Sequence, residues 1–177
     1  MRFEIFSKNY EMVNTHNAKS HYKMELNQFA DLESHEYQNE IIFNGDEGFD
    51  ELKNADIVYG YSNAAMLGEL LPNVDWRTTD KLTPVTNQGK CGASYAFAAA
   101  ASIESANAIL NNIPASKTAA SVQYIMDCDI TNSGCRGGWP TRTFTNVANN
   151  GYVLPSAYAY QYQGVQRSCI KPAVRDI

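Results

Sequence analysis

Histidine is nearly absent from this sequence: of 177 residues only His16, His21 and His35 carry an imidazole, and none follows position 35. Over the rest of the chain, chemistry that depends on an imidazole base has none of its own to use. Cysteine is missing from the first 90 positions, and all four, Cys91, Cys128, Cys135 and Cys169, fall in the second half. No apolar run approaches the roughly 18 residues that a membrane-spanning helix needs. Met1-Arg2-Phe3-Glu4 does not lead into the apolar region of a signal peptide. The segment reads as soluble, with no address of its own. There is no Asn-x-Ser/Thr acceptor and no internal repeat, and a net charge of −5 gives no support to a nucleic-acid surface.

What is present is unevenly distributed. A content of 44% hydrophobic and 19% charged residues suits one globular domain, alone or with an appendage. Residues 1–70 carry 5 Lys/Arg against 13 Asp/Glu, and residues 71–177 carry 9 against 6, giving −8 beside +3. Two such halves can attract each other. The four cysteines permit three pairings that the sequence does not rank. Cys128 and Cys135 lie seven apart with no histidine nearby, unlike the short Cys pairs of zinc sites, so disulfides are the better reading, with four reduced structural thiols the alternative in a cytosolic setting. Nothing in the pattern calls for a metal or cofactor.

Phe3, Phe6, Tyr10 and Val13 recur at three- and four-residue steps, which predicts an amphipathic helix over Arg2–Asn17. A short extended stretch follows at 22–29. Ser34 is placed to cap a second helix carrying Tyr37, Ile41 and Ile42, with Asn44-Gly45 as its stop. Residues 46–70 lose periodicity and read as an acidic linker. A new unit begins at Leu71-Pro72, with a polar loop running to Cys91. The alanine-rich run from Ser94 to Leu110 predicts a closely packed helix ended by Asn111-Asn112 and Pro114. Further helices are expected over 119–127 and 140–148, and an irregular tail over 152–169.

The stretch Gln88-Gly89-Lys90-Cys91-Gly92-Ala93-Ser94-Tyr95-Ala96-Phe97 resembles the papain and cathepsin signature Gln-Gly-x-Cys-Gly-x-Cys-Trp-Ala-Phe at six of its eight defined positions. The resemblance implies that Ser94 occupies the place of the nucleophilic cysteine and that Gln88 is the residue that binds the oxyanion. Cys128-Asp129 and Gly134-Cys135-Arg136-Gly137-Gly138 are similar to the family's Cys-Asp and Gly-Cys-x-Gly-Gly segment, which implies that Gly137 and Gly138 line the substrate cleft. Glycine suits that role because a peptide can approach a backbone without Cβ. Tyr160-Gln161-Tyr162 and Cys169 resemble the family's Tyr-Pro-Tyr segment and the cysteine after it. Taken together, the resemblance implies the pairs Cys91–Cys135 and Cys128–Cys169, and with them a secretory, lysosomal or extracellular setting.

Near the N-terminus, Arg2, Phe6, Asn9, Val13 and Asn17 follow the long-helix pattern of the family's inhibitory propeptide. Asn27, Phe29 and Asp31 reproduce three of four positions of its next motif, with Glu25 where glycine is usual. By the same resemblance, Phe43-Asn44-Gly45 crosses the substrate cleft in a non-cleavable direction. The implied organisation is a propeptide-like inhibitor domain (1–45), a linker (46–70) and a truncated peptidase domain (71–177). The implied fold is α+β: a mainly helical propeptide, the helical left-hand domain of the papain fold, and a β-rich right-hand domain that this chain, stopping at Ile177, lacks.

Two departures bear on chemistry. Serine stays protonated at neutral pH and needs a strong base to act as a nucleophile. The family's histidine and asparagine belong to the right-hand domain, and the three histidines present fall in the propeptide-like segment. Tyr95, Ala93 and Ala98 also differ from the family's Trp, Ser and Ser. The expectation is a catalytically inactive homologue acting as a structural or interaction subunit, whose protein partner covers the face left by the absent domain. Two alternatives are a zymogen portion completed by another chain or a further region, and a propeptide-type inhibitor of cysteine proteases.

Overall fold

The computed structural model describes residues 1–40, 73–150 and 161–170. The expected features at Ile41, Ile42, Phe43–Gly45, the 46–70 linker, Leu71-Pro72, the first part of the 152–169 tail and Tyr160 lie outside those residues. The chain divides into two units, Met1–Asn44 and Gly45–Ile177. Among the described residues every regular element is helical. None of those helices is long and apolar enough to cross a membrane.

In the first unit α1 spans Arg2–Lys19 and α2 spans Ser34–Glu40. Val13 is the only buried residue of α1, so apolar packing alone does not hold the chain that turns back along it. Polar side chains on α1 grip main-chain groups instead. Arg2 donates to the Asp31 carbonyl at 3.1 Å and to Glu36 Oε2 at 2.7 Å. Asn9 Nδ2 donates to the Ala30 carbonyl at 2.8 Å. Asn17 donates to the Met24 carbonyl at 2.8 Å and accepts the Met24 N–H at 2.7 Å. Phe29 meets Tyr37 of α2 edge-on at 5.4 Å. Ser34 is not the cap that the sequence suggested: α2 starts at Ser34, and the Glu36 carboxylate reaches back to the Glu33 N–H at 2.8 Å. That is the carboxylate half of a capping box, which satisfies the exposed amide without a serine. The Glu33 amide and the Arg2 guanidinium hold the Glu36 carboxyl below its ordinary value.

The second unit is built on α3, Ser94–Leu110. Ala96, Ala99, Ala100 and Ala108 are buried, and their small side chains let α4 (Val122–Cys128) and α5 (Pro140–Asn150) pack closely on the helix. Tyr95, Ala96, Ala100, Ala120 and Ile125 form one apolar cluster, with Val122 against it. Asn111 caps the end of α3, and Asn112 takes a left-handed φ of 49°, which asparagine tolerates better than most residues. The helix expected from residue 119 starts later, at Val122, for a polar reason. Glu104, the only charged residue of α3, is buried and accepts the Ala120 N–H at 2.7 Å, while its carbonyl accepts the Thr118 hydroxyl at 2.9 Å. These bonds keep Thr118–Ala120 out of the helix, and Ser121 then caps it by accepting the Tyr124 N–H at 3.1 Å. Near the start of the unit, Asp75 caps a 3-10 turn at Trp76–Thr78 and pairs with Arg77 at 2.6 Å.

Candidate functional site

Residues 88–93 form a loop that feeds α3, and Ser94–Phe97 are the first turn of that helix. Cys91 is bonded to Cys135, and the Gly92 N–H donates to the Cys135 carbonyl at 2.9 Å. Cys91, Ala93 and Met126 are buried together, with Phe97, Cys135 and Tyr162 packed around them. This cluster fixes the end of α3, and Ser94, its first residue, is exposed there. The helix dipole places partial positive charge at that hydroxyl, worth about 0.3–1 kcal/mol for an anion. Gln88, half-buried, enters the same loop, and its main-chain carbonyl accepts the Tyr162 hydroxyl at 2.5 Å.

A second loop, 129–139, carries the paired glycines. Asp129 is buried and accepts from the Asn132 amide at 2.8 Å, the Thr143 hydroxyl at 3.0 Å and the Asn146 amide at 3.2 Å. Asn132 in turn accepts the Trp139 N–H at 2.7 Å and donates to the Trp139 carbonyl at 3.3 Å. The buried polar network thus pins Trp139 and the start of α5. Gly137 has φ of 109°, a region closed to side chains. At Gly138 a Cβ would lie 2.3 Å from Asn132 Oδ1 and 2.7 Å from Asn132 Cβ. Both positions are therefore glycine for reasons internal to the fold, which adds a cause to the open approach inferred from sequence.

Residues 161–170 have no regular structure, as expected, yet they are tied down along their length. Gln123, fully buried on α4, donates to the Val165 carbonyl and to Asp127 Oδ1 and accepts the Gln163 N–H, each at 2.8 Å. Asp127 also accepts the Arg167 N–H at 2.7 Å. The bond between Cys128 and Cys169 closes the segment. The cysteines thus pair as the resemblance implied.

Position by position, Gln88, Cys91, Ser94, Cys135, Gly137 and Gly138 fall in the second unit: Gln88 and Cys91 on the loop before α3, Ser94 at the start of α3, and the other three on the loop bonded through Cys135. Arg2, Phe6, Asn9, Val13, Asn17, Asn27, Phe29 and Asp31 fall in the first. There Asn27 accepts the Phe29 N–H at 2.9 Å, and Phe6 stacks on Tyr10. The histidines are engaged within that unit: His16 lies 4.4 Å from the Tyr22 ring, His21 meets Tyr22 edge-on, and His35 Nδ1 lies 3.1 Å from Glu33 Oε2. Among the described residues no group of acidic, cysteine or histidine side chains could hold a metal. Sequence reasoning missed Asn132, Gln123 and Glu104. A lone charge in an alanine-rich helix was the available signal for Glu104. Tyr95, where the family has Trp, is buried on α3. Loss of hydration pushes its phenol well above the ordinary tyrosine value, and the Asp129 carboxylate adds to the effect.

These features, a helix presenting position 94 beside a disulfide-linked glycine loop and preceded by a two-helix unit, define a propeptide-bearing peptidase fold. Residues 70–176 match the papain family cysteine proteases, and residues 1–37 match the cathepsin propeptide inhibitor domain. The chain belongs to the papain family of cysteine proteases, and its second unit corresponds to the helical left-hand domain of that fold. It is 35% identical over 172 residues to cysteine proteinase EP-B 1 of Hordeum vulgare, covering 95% of this chain and 45% of that protein. It is 35% identical over 175 residues to chymopapain of Carica papaya, with 95% and 46% covered. Among solved structures, the digestive procathepsin L2 proteinase of the Tenebrio molitor larval midgut superposes with a TM-score of 0.78 at 30% identity, covering 98% of this chain and 58% of that one. The chain thus spans about half the length of the curated relatives it matches.

Proposed function

We propose that this chain is a catalytically inactive papain-family homologue that acts by binding protein. The observation that supports this most directly is the chemistry at position 94. An exposed hydroxyl at the first residue of α3 has the helix dipole and a neighbouring disulfide, and the sequence holds no histidine after position 35 to take its proton. The dipole's contribution, about 0.3–1 kcal/mol, is far too small to ionise a serine. Peptide hydrolysis also needs an acid to protonate the leaving amine, and Gln88 can stabilise only the oxyanion. Protein binding is supported by exposed apolar side chains on the second unit, among them Trp76, Leu82, Val85 and Phe144.

A second reading has its own support, since the chain spans about half the length of its relatives. It would then be the zymogen portion of a larger peptidase or serine-type hydrolase, with the base supplied by a further region or chain.

The test is turnover of a fluorogenic dipeptide by the Ser94→Cys chain, intact and after proteolytic removal of residues 1–70, with mass analysis excluding any second polypeptide. The expected rate is that of the Ser94→Ala control. Turnover that a thiol-directed epoxide abolishes would overturn the inactive reading. Activity appearing only when a histidine-bearing polypeptide is added would favour the zymogen reading.

A further inference from the structure

We propose that Tyr162 is the positioning residue that sets Gln88 against the first turn of α3, with residues 161–170 acting as a strap across the second unit. The inference rests on Gln88 and Ser94 belonging to one site.

One side chain spans the two elements that carry those positions. The Tyr162 hydroxyl donates to the Gln88 main-chain carbonyl at 2.5 Å, and its ring meets Phe97, three residues into α3 from Ser94, edge-on at 4.9 Å. Within the loop Asn87 Oδ1 accepts the Gly89 N–H at 2.8 Å, and further along the Cys91–Cys135 bond and the Gly92 N–H to the Cys135 carbonyl at 2.9 Å tie the loop to residues 129–139. A loop is fixed by the contacts it makes with elements outside itself. Tyr162 supplies such a contact at Gln88 itself.

Tyr162 can do so because it does not move freely itself. The next residue, Gln163, donates its N–H to the fully buried Gln123, and Gln123 holds the Val165 carbonyl. Gln166 donates to the Met126 carbonyl at 3.3 Å and lies where a Cβ on Gly134 would stand, so Gly134 is glycine to admit it. Asp127 takes the Arg167 N–H, and Cys169 is bonded to Cys128. Every one of these partners but Gly134 lies on α4, which packs on α3. The strap therefore refers the Gln88 loop to the same helices that position Ser94.

Backbone hydrogen exchange on the intact, disulfide-bonded chain tests this, read over residues 86–92, 94–101 and 122–128. Tyr162→Phe keeps the ring on Phe97 and removes only the donor. Exchange over 86–92 should rise roughly threefold to tenfold, the range set by one net hydrogen bond, while 94–101 and 122–128 stay within about twofold. Tyr162→Ala should raise 94–101 as well. Unchanged exchange over 86–92 in Tyr162→Phe would overturn the proposal, and so would an equal rise in all three segments, which reports only lost stability. Gln88→Ala should leave 86–92 at the wild-type rate, because the bond is to the main chain; a rise there matching Tyr162→Phe would also overturn it. Failure of the inactive reading would appear as epoxide-sensitive turnover in the dipeptide assay and leave these exchange rates as they are.

Discussion

Gly138→Ala isolates an internal constraint that a cleft-lining role would hide. The backbone there is not in the left-handed region, so alanine meets no torsional barrier. The obstacle is Asn132, whose Oδ1, Cγ and Cβ lie 2.3, 2.5 and 2.7 Å from the added methyl. Asn132 cannot swing aside without releasing the Trp139 N–H at 2.7 Å and its bonds to Asp129 and Thr143 at 2.8 and 3.1 Å. Overpacking a tight site costs about 1–3 kcal/mol, and each buried polar group left unsatisfied costs about 1–3 kcal/mol more. A loss of about 2–5 kcal/mol is expected, allowing for partial relaxation. The assay is urea unfolding followed by tryptophan fluorescence, which reports the second unit alone because the only tryptophans are Trp76 and Trp139. In an Asn132→Gly background, where the clashing atoms are gone, the same methyl should cost less than about 0.5 kcal/mol. A cost below that in the wild type, or an equal cost in both backgrounds, would refute the reasoning.

Asn17→Ala should destabilise the first unit by about 1–3 kcal/mol, since it strands both main-chain groups of Met24; faster hydrogen exchange over residues 22–26 is the readout. Asn17→Asp, which keeps the acceptor and loses the donor, should fall between. Burial raises the phenols of both Tyr95 and Tyr162 above the ordinary value. Their contribution to stability is whole below the unfolded tyrosine value of about 10 and is lost as pH rises from there through the higher folded values. The urea midpoint should therefore fall steeply above pH 10, and the slope should flatten in Tyr95→Phe; an unchanged slope would count against it.

The helices were legible wherever periodicity or composition dominated. The α1 pattern and the alanine run of α3 each fixed an element to within two residues, because a helix is a local decision. The late start of α4 was hidden because Glu104, 16 residues before Ala120, decides it. The pairing of Gln123 with Asp127 has visible spacing of four, but their acceptor and donor partners at 163–167 lie 40 residues away and are mostly main-chain groups. Side chains that bind main chain impose no letter on their partners, so sequence does not announce them. The same limit applied to Asn132, whose demand on Gly138 looks identical in sequence to a substrate's demand.

The grip of α1 on main-chain atoms has a consequence for how this segment can vary. Arg2, Asn9 and Asn17 attach at the peptide groups of Asp31, Ala30 and Met24, so the returning chain is held without reference to the side chains it displays. Glu25 shows the freedom this gives: it is exposed, it replaces a glycine of the related pattern, and its backbone has no positive φ that would have required glycine. The fastening and the face it presents are written in different residues. Substitutions along 22–31 can therefore change the surface the segment presents while the clasp that shapes it stays the same.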